Sequence, residues 1–123
     1  MDNLFEFELA KGANILVNEL ALIQKNERVI ITADTLCDSG VINAVAGAAH
    51  TAGAKVAVMW YPVPRGVGKD ADQDISYQAI GEAIGASDVW LEFGYNWILY
   101  STAQEIALER NPKLRHLNAV GLN

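Results

Sequence analysis

The chain has 123 residues, 51% of them apolar, with 9 Lys+Arg against 15 Asp+Glu and a formal net charge of -6. That length fits one domain able to bury a core without disulfides or metal; one cysteine and two histidines exclude an internal disulfide and a self-contained His- or Cys-built metal centre. Acidity without a Lys/Arg cluster removes the cationic grip that nucleic acid and acidic membrane surfaces require, so neither is expected as a partner.

The opening Met1-Asp2-Asn3-Leu4, with Glu6 and Glu8 behind it, lacks the basic and apolar regions of a secretory leader, and a cytoplasmic location is expected. Asp2 is placed to cap a first helix reaching about Gln24, with Phe5, Leu9, Ala13, Leu16, Leu20 and Ile23 as its apolar stripe. After Lys25-Asn26-Glu27, the β-branched run Arg28 to Ala33 reads as a strand covered on both faces and closed by Asp34. Asp38 or Ser39 caps a second helix running through Ala52 to a stop at Gly53, with small residues that allow close packing on a sheet.

Lys55 to Tyr61, KVAVMWY, reads as a second buried strand ended by Pro62 and Pro64. The apolar stretch from Val41 to Val63 is interrupted by Asn43, His50, Gly53 and Lys55, so it reads as this helix and strand rather than a membrane span. Arg65 to Asp74 is a polar loop. Its Gly66-Val67-Gly68-Lys69 lacks the earlier glycine of a phosphate-binding loop, where Val63 stands, and the following hydroxyl, where Asp70 stands. It is expected to be a mobile surface loop of the kind that forms a lid.

A third helix spans Ser76 to about Gly85, and a third strand Val89 to Phe93. Ser101 and Thr102, with Gln104 and Glu105 three residues after each, form two overlapping capping boxes for a fourth helix ended by Asn111-Pro112. His116 to Leu122 reads as a fourth strand. Strands separated by helical crossovers run parallel, which predicts a Rossmann-like three-layer α/β domain: a mainly parallel sheet of about four strands with helices on both faces.

In such sheets ligands bind beyond the carboxyl ends of the strands. That end gathers Asp34, Thr35, Cys37 and Asp38 after strand one, Tyr61, Arg65, Gly66 and Gly68 after strand two, and Gly94 to Ser101, including Asn96, Leu99 and Tyr100, after strand three. His50 and His116 fall at the opposite end, His50 as a helix C-terminal residue and His116 leading into its strand. Asp34 and Asp38 serve either as ligand-binding carboxylates or as a turn residue and a helix cap. Cys37 has no histidine nearby to act as base and reads as an inert, partly buried thiol. Glu92, inside an apolar strand, must be paired, protonated or facing an opening, with Arg28 or Arg115 as its candidate partners. Trp90, Tyr95, Trp97 and Tyr100 form either core and interface or a cleft wall that stacks on a flat substrate.

NERVIITAD from Asn26 to Asp34, AGAKV from Ala52 to Val56, and DVWLEF followed by W-x-L-Y-S-T from Trp97 to Thr102 resemble the N-terminal domain of aminopeptidase T type metallopeptidases and of the related 2,5-dihydroxypyridine 5,6-dioxygenases. The resemblance spans nearly the whole chain. It implies a two-domain enzyme whose divalent metal (Zn, Co, Mn or Fe) sits in a C-terminal domain this chain does not contain, so no cofactor is expected in the chain itself. It also implies that this domain completes the cleft with Leu99, Tyr100 and Ser101, with Asp34 and Thr35 beside them. Tyr100 is the candidate catalytic residue. The dioxygenases are expected to carry a proton-moving histidine near that position, and Tyr100 departs from it; a phenol still donates a hydrogen bond.

The expected function is therefore that of a substrate-covering domain, inactive alone, acting on a small molecule or peptide. The alternative is a free-standing, non-catalytic α/β module that binds a ligand or assembles into a homo-oligomer.

Overall fold

The computed structural model describes residues 6–119. The Arg28–Asp34 run forms β1, buried along its length after Arg28, because it lies inside a parallel sheet of order β2-β1-β3-β4. Its neighbours are β2 (Lys55–Tyr61), β3 (Val89–Glu92) and, beyond β3, β4 (Arg115–Asn118). The register pairs Ile31 with Val58 on one side and with Leu91 on the other. Alternation sends the side chains of β1 into two cores. Val29, Ile31 and Ala33 pack with Leu16, Val17, Ile42 and Val45 of the first two helical segments. Ile30 packs on the opposite face with Trp90, Ile80, Ile84, Ala103 and Ala107. The three-layer α/β architecture expected from the sequence is thus the one observed, and no helix among the described residues is long and apolar enough to cross a membrane.

The first helix departs from its expected course. Residue Asp2 lies outside the described residues; α1 covers Glu6–Ile15 and continues as a π turn over Leu16–Leu20. The i to i+5 bond, with Ala21 N–H donating to Leu16 O at 2.8 Å, adds one residue to the turn and rotates the stripe. Val17 is consequently buried while Leu20, expected inside, is 62% exposed. Leu22 at φ +52° then stops the helix before Gln24, and Ile23 N–H closes the end by donating to Val17 O at 3.0 Å.

The second helix, α2 (Ser39–Thr51), starts at the Asp38 cap and stops before Gly53, which sits at φ +91°. The third and fourth, α3 (Tyr77–Gly85) and α4 (Thr102–Arg110), meet where Gly81 lets the backbones approach. A Cβ there would lie 2.7 Å from Ala103 O and 2.8 Å from Ile106 Cβ. Gly81→Ala is therefore expected to cost about 1–3 kcal/mol by overpacking, despite alanine's better helix propensity, as read by urea unfolding.

Two strand expectations need correction. Strand four is shorter than His116 to Leu122, ending at Asn118 with Ala119 buried behind it; residues 120–122 lie outside the described residues. Strand two is not buried. It occupies a sheet edge, paired only with β1 among the described residues, its burial alternating poorly and Val58 and Trp60 standing open. Composition alone does not separate an edge strand from a central one.

Candidate functional site

The chain leaves β1 for β2 on one side and then crosses to β3 on the other, so the strand order reverses between β1 and β3. A buried carboxyl group ends each of these strands. Asp34 Oδ1 accepts from Leu36 N–H and Oδ2 from Asn96 N–H, both at 3.0 Å. Cys37 Sγ lies 3.7 Å from Asp34 Oδ1 and 3.1 Å from Phe93 O. Burial pushes this thiol above its usual pKa, which fits the inert reading.

Glu92, fully buried, has a fuller set of partners. Oε2 accepts from Ile98 N–H at 2.7 Å and Leu99 N–H at 3.0 Å; Oε1 meets His116 Nε2 at 3.0 Å and accepts from Asn118 Nδ2 at 3.1 Å. It is paired, but not with Arg28 or Arg115. Those arginines bind Asp88 and Glu27 at the amino edge. His116 is more than a residue leading into its strand: its ring also stacks on Trp90, with centroids 3.9 Å apart, and Trp90 Nε1 donates to Thr32 Oγ1 at 2.9 Å.

These two carboxyl groups hold the segment 94–101 against the sheet. The second support comes from the Arg65 to Asp74 stretch, which is a docked element rather than the expected lid. Arg65 pairs with Asp74, and a 3-10 helix over Gly68–Gln73 buries Ala71. Gly68, at φ +59°, donates its N–H to Trp97 O at 3.0 Å, and Asn96 Nδ2 donates to Pro64 O at 2.6 Å.

The paired capping boxes are also replaced. Thr102 N–H donates to Asp72 Oδ1 at 2.9 Å and its hydroxyl to Asp72 Oδ2, while Lys69 Nζ reaches Thr102 Oγ1 at 3.0 Å and pairs with Glu105. Gln104 instead accepts from Tyr100 N–H. A carboxylate at a helix N-terminus is a stronger acceptor than a hydroxyl, so the long-range cap displaces the local one. Asp72→Ala is expected to cost about 1 kcal/mol in urea unfolding and to speed proteolytic cleavage between Arg65 and Asp74.

Of the nominated residues, Asp34, Asn96, Leu99, Tyr100 and Ser101 therefore belong to one hydrogen-bonded assembly. Tyr100 is its outward member, on left-handed backbone at φ +68° and 70% exposed, with Tyr95 and Trp97 also exposed nearby in sequence. Ser101 is inward, its Oγ buried without a hydrogen-bond partner. Thr35 and Asp38 are engaged separately. Thr35 Oγ1 accepts from Val63 N–H at 3.1 Å, and Asp38 Oδ1 caps α2 by accepting from Gly40 N–H at 2.7 Å and Val41 N–H at 3.4 Å. Sequence reasoning gave no role to Tyr61, whose buried hydroxyl has no hydrogen-bond partner, nor to Asp72; a tyrosine ending a strand and an aspartate in a polar loop carry no distinguishing signal.

Among the described residues no group of three or more His, Cys, Asp or Glu side chains could hold a metal ion. The carboxyl groups of Asp34 and Glu92 already receive backbone and side-chain donors, so an implied metal does not fit at these two strand ends.

This is a doubly wound parallel α/β domain whose carboxyl edge is finished by a hydrogen-bonded, aromatic-bearing segment. Its fold is similar to that of 2,5-dihydroxypyridine dioxygenase from Pseudomonas putida KT2440, with TM-score 0.73 and 22% identity over 94% of this chain and 34% of that one. It is similar also to AmpT from Thermus thermophilus, with TM-score 0.60 and 15% identity over 94% of this chain and 36% of that one. These are the two folds that the sequence resemblance implied, and the chain spans about a third of the length of each. No protein-family model matches the sequence, and neither does any curated protein.

Proposed function

We propose that this chain is the N-terminal, substrate-covering domain of a cytoplasmic, two-domain metal-dependent enzyme resembling aminopeptidase T type peptidases or dihydroxypyridine dioxygenases. The observation that carries the reading is the fixed Asn96–Ser101 segment: Glu92 and Asp34 secure its backbone while the Tyr100 side chain points to solvent. A rim held from below but open above suits a wall facing a cleft completed by another domain. Tyr100 would donate a hydrogen bond to a small-molecule or peptide substrate, and Tyr95 and Trp97 would exclude water and stack on flat groups. The divalent metal belongs to the second domain, so no step of the reaction is assigned to this chain's carboxylates.

The test has two arms. The purified chain, supplied with Zn, Co, Mn or Fe salts, should turn over neither leucyl anilides nor 2,5-dihydroxypyridine, and calorimetric titration should detect no stoichiometric metal binding. In the two-domain enzyme, Tyr100→Phe should lower kcat/KM about 10- to 100-fold without changing the unfolding midpoint. Turnover by the isolated chain, or an unaffected Tyr100→Phe enzyme, would overturn the reading.

A further inference from the structure

Strand β2 has the composition of a strand that is covered, yet among the described residues only β1 pairs with it. KVAVMWY contains no acid and no proline, and its one charge is at the first position. Such edges are usually guarded by charge, proline, a bulge or short length. The opposite edge is guarded: β4 has four residues, and its Arg115, His116 and Asn118 are tied to Glu27 and Glu92. On β2, by contrast, Val58 is 36% and Trp60 44% exposed.

We propose that β2 pairs antiparallel with β2 of a second copy of this chain across a two-fold axis, joining the two sheets. The sequence is self-complementary in that register. Centring on Val58 sets Val58 opposite its own copy, Ala57 opposite Met59, Val56 opposite Trp60 and Lys55 opposite Tyr61. No like charges face each other, and Val56, Val58 and Trp60 from both copies share one face.

Charge complementarity selects the antiparallel sense. Lys25, His50 and Lys55 gather at the amino end of β2, where Lys25 lies against Gly53. Asp38, Asp70 and Asp72 follow the carboxyl ends of β1 and β2, outside the buried Asp34 and the Asp74 already paired with Arg65. An antiparallel dimer sets the basic end of each copy beside the acidic end of the other. A two-fold interface of this kind also closes, so it yields a dimer and not a filament.

The interface is independent of the catalytic reading and is tested on the full chain. At about 100 μM, above the micromolar Kd typical of weak specific interfaces, light scattering should give twice the 13.3 kDa chain mass. Val58→Lys and Val58→Glu should each weaken association on the order of 100-fold by setting like charges on the axis, and an equal mixture of the two should recover the doubled mass. Hydrogen exchange on the unmodified chain should show β2 amides gaining protection as concentration rises. A monomeric parent chain, a dimer that survives Val58→Lys, a mixture that stays monomeric, or β2 exchange indifferent to concentration would each overturn the proposal.

Discussion

Glu92→Ala is expected to remove about 3–5 kcal/mol of stability, a large share of what a single domain possesses. The loss has two parts. Ile98 N–H, fully buried, and Leu99 N–H, half-buried, lose their acceptor, each unmet donor costing about 1–3 kcal/mol before relaxation. The truncation also leaves a void beneath Ile98, itself fully buried. Glu92→Gln should cost less than half as much, because an amide oxygen still accepts from Ile98 and Leu99 while the Asn118 amide can turn to receive from the new NH2. Urea unfolding measures both variants, and a melting temperature lower by on the order of 10–20 °C should accompany Glu92→Ala. A loss below about 1 kcal/mol would show that the segment 94–101 is held by its own packing rather than by the carboxyl group.

This prediction also explains which parts of the molecule were legible in the sequence. Apolar runs, helical periodicity and local caps located the four α-helices and the four strands because each rests on a local pattern. Thus β1 reads as buried on both faces, and Asp38 as a helix cap, from residues next to them. The errors share a long-range cause. Asp72 caps α4 from thirty positions away, displacing the hydroxyl cap that Ser101 and Thr102 promise locally. The partners of Glu92 lie on the following segment and on a strand more than twenty positions on, so a single buried carboxylate signals that partners exist without naming them. The apolar β2 sequence signals covering but not by what. The π turn after Ile15 depends on one shifted hydrogen bond that no composition records.

The charge pattern follows the same logic of position. Every helix runs antiparallel to the strands, so helix N-termini and their partial positive charges collect at the carboxyl edge. Asp38, Asp72 and Glu105 stand there as caps and first-turn acids. Arg28, Arg110 and Arg115 stand at the opposite edge near helix C-termini, paired with Asp88, Glu82 and Glu27. The Arg115 guanidinium, by hydrogen bonding, holds Glu27 below the usual carboxylate range. Much of the acidity of the carboxyl edge is thus a property of the fold, while Tyr100 and its aromatic neighbours stand exposed there.

Tyr61→Phe should raise stability by about 1 kcal/mol at neutral pH, an unusual direction for a core substitution. The Tyr61 hydroxyl is buried at the reversal point with no hydrogen bond, and an added Cβ at Gly94 would lie 2.7 Å from it, so little space exists for a water to relieve it. Burial first, then the nearby Glu92 and Asp34 charges, push its pKa far above the ordinary tyrosine value; the Thr32 side chain offsets this only slightly and is not in hydrogen-bonding position. The sign of the pH effect follows. In the unfolded chain the phenol ionises near pH 10, whereas in the folded protein it keeps its proton. Above about pH 10 the folded state therefore binds more protons than the unfolded one, and stability falls by up to about 1.4 kcal/mol per pH unit. Phenylalanine removes that slope and leaves every other ionisable group in place, so the difference between the two proteins isolates Tyr61. Urea unfolding from pH 7 to 11.5 should show a constant gain for Tyr61→Phe up to about pH 10 and a widening one beyond it. Parallel profiles across the whole range would place the phenol in contact with water and remove it from the buried network beneath the Asn96–Ser101 segment.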